Sequence, residues 1–253
     1  MRPIILLTML GLVSVFPLRA EEPAPGKQVE QELKVDGKTI PYLLYLPKDY
    51  TSKEAKWPLM LFLHGRGESA GPLSTVKKWG PPRLIERGEN FPYIIASPQC
   101  PRAESWAQAS QQALLLALLD HLAKTCKVDS DRIYLTGLSL GGYGSWRLAA
   151  DHPERFAAVV PICGGGRTDD AEKLKSLPIW AWHGAADPTV PVQRSIEMVE
   201  AIKKAGSTVV RFTPLEHIGH NSWEAAYATP ELYQWLDKQT VSKNRERSAG
   251  AKQ

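Results

Sequence analysis

The sequence predicts an α/β fold: a mostly parallel, doubly wound sheet with an antiparallel hairpin at its N-terminal end. Two observations carry this expectation. Short runs that are apolar throughout alternate with Ala- and Leu-rich helical segments, and two polar–apolar alternating runs flank Asp36-Gly37. Repeated strand, helix, strand order implies right-handed crossovers and strands covered on both faces.

The hairpin comes first. Gln28 to Val35 and Thr39 to Leu46 alternate with period two on either side of Asp36-Gly37, a dipeptide suited to a tight turn. The continuous run Pro58 to Leu63 then ends at His64-Gly65. Further strands are expected at Tyr93 to Ser97, Arg132 to Thr136, Phe156 to Ile162, Ile179 to Trp182 and Thr208 to Thr213. Helices are expected at Trp106 to Lys124, Gly141 to Ala150, Val192 to Ala205 and Ser222 to Lys238. Gly206 stands where the third of these would end.

The 253 residues suit one domain between two terminal segments. Arg2, the apolar stretch Ile4 to Phe16 and Leu18-Arg19-Ala20 before Glu21-Glu22 read as a signal peptide over residues 1–20. A spanning helix needs about 18 unbroken apolar residues, and Pro17 and Arg19 interrupt this run. The plainer reading, a buried N-terminal helix, fits those flanks less well. The expected organisation is a leader at 21–28, a catalytic domain at 29–240 and a disordered basic tail at 241–253. The expected location is secreted or periplasmic, with no stable membrane insertion after cleavage.

The formal charge is +4. Setting aside Arg2, Arg19 and the net +3 of residues 241–253 leaves −1 for residues 21–240. A body so near neutral offers no electrostatic footprint for nucleic acid. The three cysteines, Cys100, Cys126 and Cys163, match no metal-site spacing and are expected as buried or free thiols.

Gly137-Leu138-Ser139-Leu140-Gly141 sits between a strand and a helix, the context of a nucleophile elbow. An activated serine needs a base, and the base an orienting acid, in the chain order serine, acid, histidine. Asp187 is favoured as the acid because it follows the strand ending at Trp182-His183-Gly184; Asp169 and Asp170 are the fallback. For the base the choice lies between His217 and His220. His220 is favoured because Gly219 would let the backbone turn beside the following helix. These two histidines lie three apart rather than four, and no metal is expected there. His183 is expected to pack at a strand terminus. His64-Gly65-Arg66-Gly67 ends a buried strand, so the backbone amides of Arg66 and Leu140 are assigned to an oxyanion hole.

Several segments, taken together, carry a resemblance: His64-Gly65-Arg66-Gly67-Glu68; Ser97-Pro98-Gln99-Cys100-Pro101 with Trp106; Asp131 through Gly144; Pro161-Ile162-Cys163-Gly164-Gly165; Trp182-His183-Gly184 to Asp187; and Gly219-His220-Asn221-Ser222-Trp223. Over about residues 29–238 the chain resembles the secreted bacterial esterases of the α/β-hydrolase superfamily. These stand near the phospholipase/carboxylesterase, dienelactone-hydrolase and feruloyl-esterase groups, some of them described as peptidases of prolyl-oligopeptidase type. The resemblance implies ester hydrolysis with Ser139, Asp187 and His220 as a triad and no cofactor.

The segment Gly164 to Leu177 is too short for a large lid, which favours a small or polysaccharide-linked ester as the substrate. Trp79, Trp106 and Trp223 fall near the active edge and are candidate substrate-binding rings, although core packing explains each equally well. Two other readings remain: a serine peptidase using the same triad, and a non-catalytic binding protein built on the same fold. No propeller-like repeats precede the domain, which disfavours the first. A complete triad disfavours the second.

Overall fold

The apolar runs assemble into one sheet. In this computed structural model residues 24–250 are described, and the signal segment expected at 1–20 lies outside them. The strands are β1 (Gln28–Val35), β2 (Lys38–Tyr45), β3 (Trp57–Leu63), β4 (Ile94–Pro98), β5 (Val128–Leu138), β6 (Ala158–Ile162), β7 (Ile179–Gly184) and β8 (Val210–Leu215). They lie in the order β1-β2-β4-β3-β5-β6-β7-β8. β1 and β2 form the expected antiparallel hairpin, with Asp36 (φ 48°) and Gly37 (φ 75°) both left-handed in the turn. β2 also runs antiparallel to β4, and every later pairing is parallel.

The sequence pattern explains the layers. Every residue of β3, β4 and β6 is buried, as strands covered on both faces require. β1, at the sheet edge, keeps its polar residues towards solvent. The helices are α1 (Gly80–Glu86), α2 (Ala109–Thr125), α3 (Leu140–Asp151), α4 (Ala171–Leu174), α5 (Gln193–Lys204), α6 (Trp223–Tyr227), α7 (Pro230–Leu236) and α8 (Val241–Gly250). Leu115, Leu118, Leu119 and Leu122 of α2 join Leu59, Leu61 and Leu135 in one core. Phe62, Tyr134, Val160, Tyr227 and Trp235 build a second core on the opposite face of the sheet.

Two expectations are corrected. The single helix expected over Ser222 to Lys238 is two, because Pro230 forces the preceding Thr229 out of helical geometry (ψ 111°) and starts α7. The tail from residue 241, expected to be disordered, forms α8. Val241 is buried, and Asn244 Nδ2 donates to the carbonyls of Phe156 and Ala157 at 3.0 and 3.1 Å. The Ser242 N–H and hydroxyl both bond Asp131. Packing on the body, not the segment's own polar composition, orders this helix. Among the described residues no helix is long and apolar enough to cross a membrane.

Sheet register positions the site. Leu63 pairs with Gly137, Leu138 with Ile162, Ile162 with Trp182, and Gly184 with Leu215. The loops after β3, β5, β6, β7 and β8 therefore leave the sheet at one common rim, beside the point where strand order reverses around β3.

Candidate active site

Ser139 occupies the junction of β5 and α3 with φ 52° and ψ −113°, the strained geometry of a nucleophile elbow. Its amide is fixed to Ile162 O at 3.0 Å, and its carbonyl accepts the Tyr143 N–H at 3.0 Å. The flanking glycines are steric necessities. A Cβ on Gly141 would stand 1.9 Å from Leu63 O, and one on Gly137 2.5 Å from Gly141 O. Strand and helix approach so closely here that only hydrogen fits.

The candidate partners converge on this serine. His220 Nε2 lies 3.0 Å from Ser139 Oγ, and His220 Nδ1 lies 2.7 Å from Asp187 Oδ2. A neutral ring donating from Nδ1 to the carboxylate leaves Nε2 to accept the hydroxyl proton. Asp187 is buried, and its Oδ1 accepts the N–H groups of Thr189 and Val190 at 2.8 and 3.0 Å. Burial alone would raise its pKa, but the His220 hydrogen bond and these two amides hold the carboxyl below its ordinary range. Asp187 therefore faces His220 as a carboxylate.

The loops reach these positions by backbone contact. Ala186 N–H bonds Ile218 O at 3.0 Å, and a Cβ on Gly184 would lie 2.1 Å from Gly219 O, so the loop after β8 lies directly on the loop after β7. Gly219 was expected to supply the turn before His220. The left-handed residue is instead His217, at φ 61°. The alternatives for the acid lie elsewhere: Asp170 pairs with Arg147 and Lys173, and Asp169 is exposed beside Arg167.

The loop after β3 abuts the same serine, since a Cβ on Gly65 would stand 3.7 Å from Ser139 Cβ. His64 Nε2 accepts the Cys100 N–H at 3.0 Å, so the ring proton sits on Nδ1 and is donated to Gly65 O at 2.6 Å. That carbonyl also receives the Glu68 N–H at 3.3 Å. In a planar trans peptide the Arg66 N–H then points away from this engaged carbonyl. The Arg66 guanidinium is tied to the carbonyls of Arg102 and Glu104 at 2.8 and 2.6 Å. Leu140 opens α3, in the turn whose N–H groups have no intrahelical acceptor.

The three tryptophans separate. Trp106 is fully buried and donates from Nε1 to His64 O at 3.0 Å, so it braces the loop instead of meeting substrate. Its expected place at the open rim is thereby corrected. Trp223 stands edge-on to His220 with ring centroids 5.4 Å apart, and Trp79 stands edge-on to Trp223 at 5.7 Å. Arg83 caps Trp79 at 4.7 Å, and a cavity of about 180 Å³ lies among Trp79, Arg83, Trp223 and Tyr227. A second cavity, of about 380 Å³, lies along α3 and is lined by Tyr143, Trp146, Gly165 and Arg167.

Two residues at the site were not anticipated there. His183 is fully buried; its Nε2 lies 2.9 Å from Val190 O and 3.3 Å from Asp187 Oδ2, and its Nδ1 lies 2.8 Å from Ser195 Oγ. Burial lowers its pKa, so the ring is neutral with its proton on Nε2. Cys163 directly follows β6 at φ 39° with its thiol beside the Ser139 backbone, and burial pushes that thiol up to about 12. All three cysteines are free.

This sheet order, with a serine elbow and its histidine and acid on the loops after β8 and β7, is that of the α/β-hydrolases. Residues 36–206 match the family described as "Putative esterase", and the chain belongs to that family. It is 28% identical over 188 residues to "Putative esterase NocK" of Nocardia uniformis, covering 69% of this chain and 53% of that protein. It is 25% identical over 232 residues to "Probable feruloyl esterase C" of Aspergillus niger, covering 88% and 83%. The chain thus spans about half the length of the Nocardia relative. Among solved structures, a thermostable esterase superposes with a TM-score of 0.73 at 32% identity, covering 84% of this chain and 63% of that one. A ferulic acid esterase shares the fold at a TM-score of 0.61 and 21% identity, covering 87% and 98%.

Proposed function

We propose that this protein hydrolyses carboxylic esters through an acyl-enzyme on Ser139. The observation that carries the reading is the continuous hydrogen-bonded chain Asp187–His220–Ser139. Ser139 Oγ attacks the ester carbonyl while His220 Nε2 takes its proton, and Asp187 holds the ring in that tautomer and stabilises the imidazolium. The amides of Arg66 and Leu140 meet the developing oxyanion, each such donor being worth about 3–4 kcal/mol. His220 returns the proton to the leaving alcohol. Water activated by the same ring then releases the acid. The balanced outcome is ester plus water to acid plus alcohol, with no cofactor.

For the substrate, we take a small or polysaccharide-linked ester with an aryl or acetyl acyl group. Supporting this are the feruloyl esterase relatives and the acetylxylan esterase/xylanase relative of Neocallimastix patriciarum. Trp223 edge-on to His220, with the more exposed Trp79 beyond it, supports a contact of the Trp79 ring with such a group. Residues 1–20 support action outside the cytoplasm, in the periplasm or beyond. The test is hydrolysis of chromogenic acetyl, longer acyl and feruloyl esters, with peptide amides alongside. Wild type should cleave esters, and Ser139→Ala should lose about 10³-fold or more of that activity. Preferential cleavage of the peptides would favour the peptidase reading, and absence of both activities would refute catalysis.

A further inference from the structure

We propose that Cys163, Asp187 and His220 form a binding site for a thiophilic divalent cation, zinc above all, and that an ion bound there switches off the triad. Binding needs only these three side chains; the inhibition rests on the proposed esterase activity.

Three side chains of the types that ligate zinc converge here. The Cys163 Sγ, a carboxylate oxygen of Asp187 and a ring nitrogen of His220 lie within 4.8 Å of one another. They come from three separate loops, after β6, β7 and β8, so the sheet edge holds them together. Thiolate, carboxylate and imidazole are zinc's preferred donors. A tetrahedral ion would set them roughly 3.4–3.6 Å apart and leave a fourth position open. The His220–Asp187 contact of 2.7 Å would have to open, and the thiol to close in, by about an ångström.

The surroundings favour occupation. Thr189 and Val190 N–H groups hold Oδ1 of Asp187, and His183 Nε2 stands 3.3 Å from Oδ2, which fixes the carboxylate as outer-shell partners do. One thiolate and one carboxylate neutralise the two charges of the ion, so the filled site carries no net charge into a buried position. Cys163 is sealed from solvent, but the His220 side chain is 22% exposed and gives the way in.

The inhibition follows from proton positions. His220 Nδ1 faces Asp187, so an ion seated there takes that nitrogen. The neutral ring keeps its single proton, which moves from Nδ1 to Nε2, and the Cys163 thiol releases its proton to solvent. Nε2 then presents a hydrogen to Ser139 where it had presented a lone pair, and the serine has no base.

Two measurements with zinc chloride test this. The first is zinc uptake by Ser139→Ala, which retains all three ligands, against Ser139→Ala/Cys163→Ala, by equilibrium dialysis with metal analysis. The second is zinc titration of ester hydrolysis in wild type, Cys163→Ala and Cys163→Ser, with chelator reversal. One equivalent should bind to Ser139→Ala and be lost with Cys163. Wild-type hydrolysis should be inhibited reversibly, and both cysteine variants should need at least about tenfold more zinc for the same inhibition. Cys163→Ser keeps the shape of the site and guards against a folding defect in the alanine variant. Equal zinc sensitivity in wild type and both variants would overturn the proposal, as would a Ser139→Ala protein that takes up no zinc. Cys163-dependent uptake without any ester hydrolysis would sustain the site and sink the esterase reading; hydrolysis without uptake would do the reverse.

Discussion

His183 Nε2 and His220 Nδ1 approach the same oxygen of Asp187, at 3.3 and 2.7 Å. The neutral His183 ring donates from Nε2 to Val190 O at 2.9 Å with Asp187 Oδ2 as the longer neighbour, so Oδ2 lies between two imidazoles while Oδ1 takes two backbone amides. His183→Leu removes the donor that holds Val190 O and lies beside the carboxylate proposed to stabilise imidazolium in the transition state. The bond to Val190 O positions the turn that carries Asp187 and is worth about 0.5–1.5 kcal/mol, so a loss in kcat of about two- to tenfold is expected with KM little changed. His183→Gln can place an amide N–H near the same oxygen and should recover part of the rate. Equal kcat in wild type and the leucine variant would show that His183 only fills space.

Neutral His64 carries a pH dependence of stability. Burial, with Arg66 nearby, lowers its pKa from 6.5 to about 4, against a smaller opposing effect from its bond to Gly65. The unfolded chain therefore binds a proton between pH 6.5 and 4 that the folded chain refuses. Stability should fall as pH drops through that window, by up to about 3 kcal/mol from this group, and the contribution levels off below the folded value. Asp187, whose pKa is lowered, adds stability above its unfolded value of about 3.9 that is lost as pH falls further. Urea unfolding at pH 7 and pH 4.5 checks this. His64→Gln should be less stable at pH 7 and show a shallower loss between the two.

Trp106 should behave as a brace. Trp106→Phe keeps most of the buried ring and deletes only the Nε1 bond to His64 O, so stability should drop by about 1–2 kcal/mol. KM for soluble esters should stay within about twofold of wild type, whereas kcat should fall as the loop bearing Arg66 loosens. Trp79→Ala, by contrast, should raise KM for aryl esters more than for acetyl esters. Steady-state kinetics on both variants separates a ring behind the loop from one beside the substrate.

The candidate site was legible in the sequence where chemistry and backbone sterics coincide. Ser139 stands between its glycines at the end of β5, and Asp187 and His220 stand in the loops after β7 and β8, so period and chain order pointed to all three. Three features were hidden because they depend on contacts across the fold. His183 looks like any strand-end residue until β7, α5 and the Asp187 loop are packed around it. Trp106 has the sequence context of an active-edge ring, yet the approach of Gly144 on α3, where a Cβ would stand 2.3 Å from Trp106 Cβ, encloses it. Cys163 has no spacing motif because its neighbours Asp187 and His220 lie 24 and 57 positions further along the chain.

The C-terminal segment misled for the opposite reason, since its composition is that of a disordered tail while α8 takes its order from the body. Deleting residues 241–253 exposes the surface under Val241, worth about 1.5–3 kcal/mol for a buried aliphatic side chain. It also strips the Phe156 and Ala157 carbonyls of their Asn244 donor, at about 1 kcal/mol for each bond. At about 2–4 °C per kcal/mol for a chain of this size, a thermal melt should drop by roughly 7–20 °C. These contacts lie at Asp131 and Phe156, near the starts of β5 and β6, whereas the Ser139 rim lies at the strands' C-terminal ends. The kcat/KM measured well below the melt should therefore be preserved. Asn244→Ala should reproduce about two fifths to three fifths of the shift, and a truncated protein that melts with wild type would mean that α8 contributes nothing to the folded body.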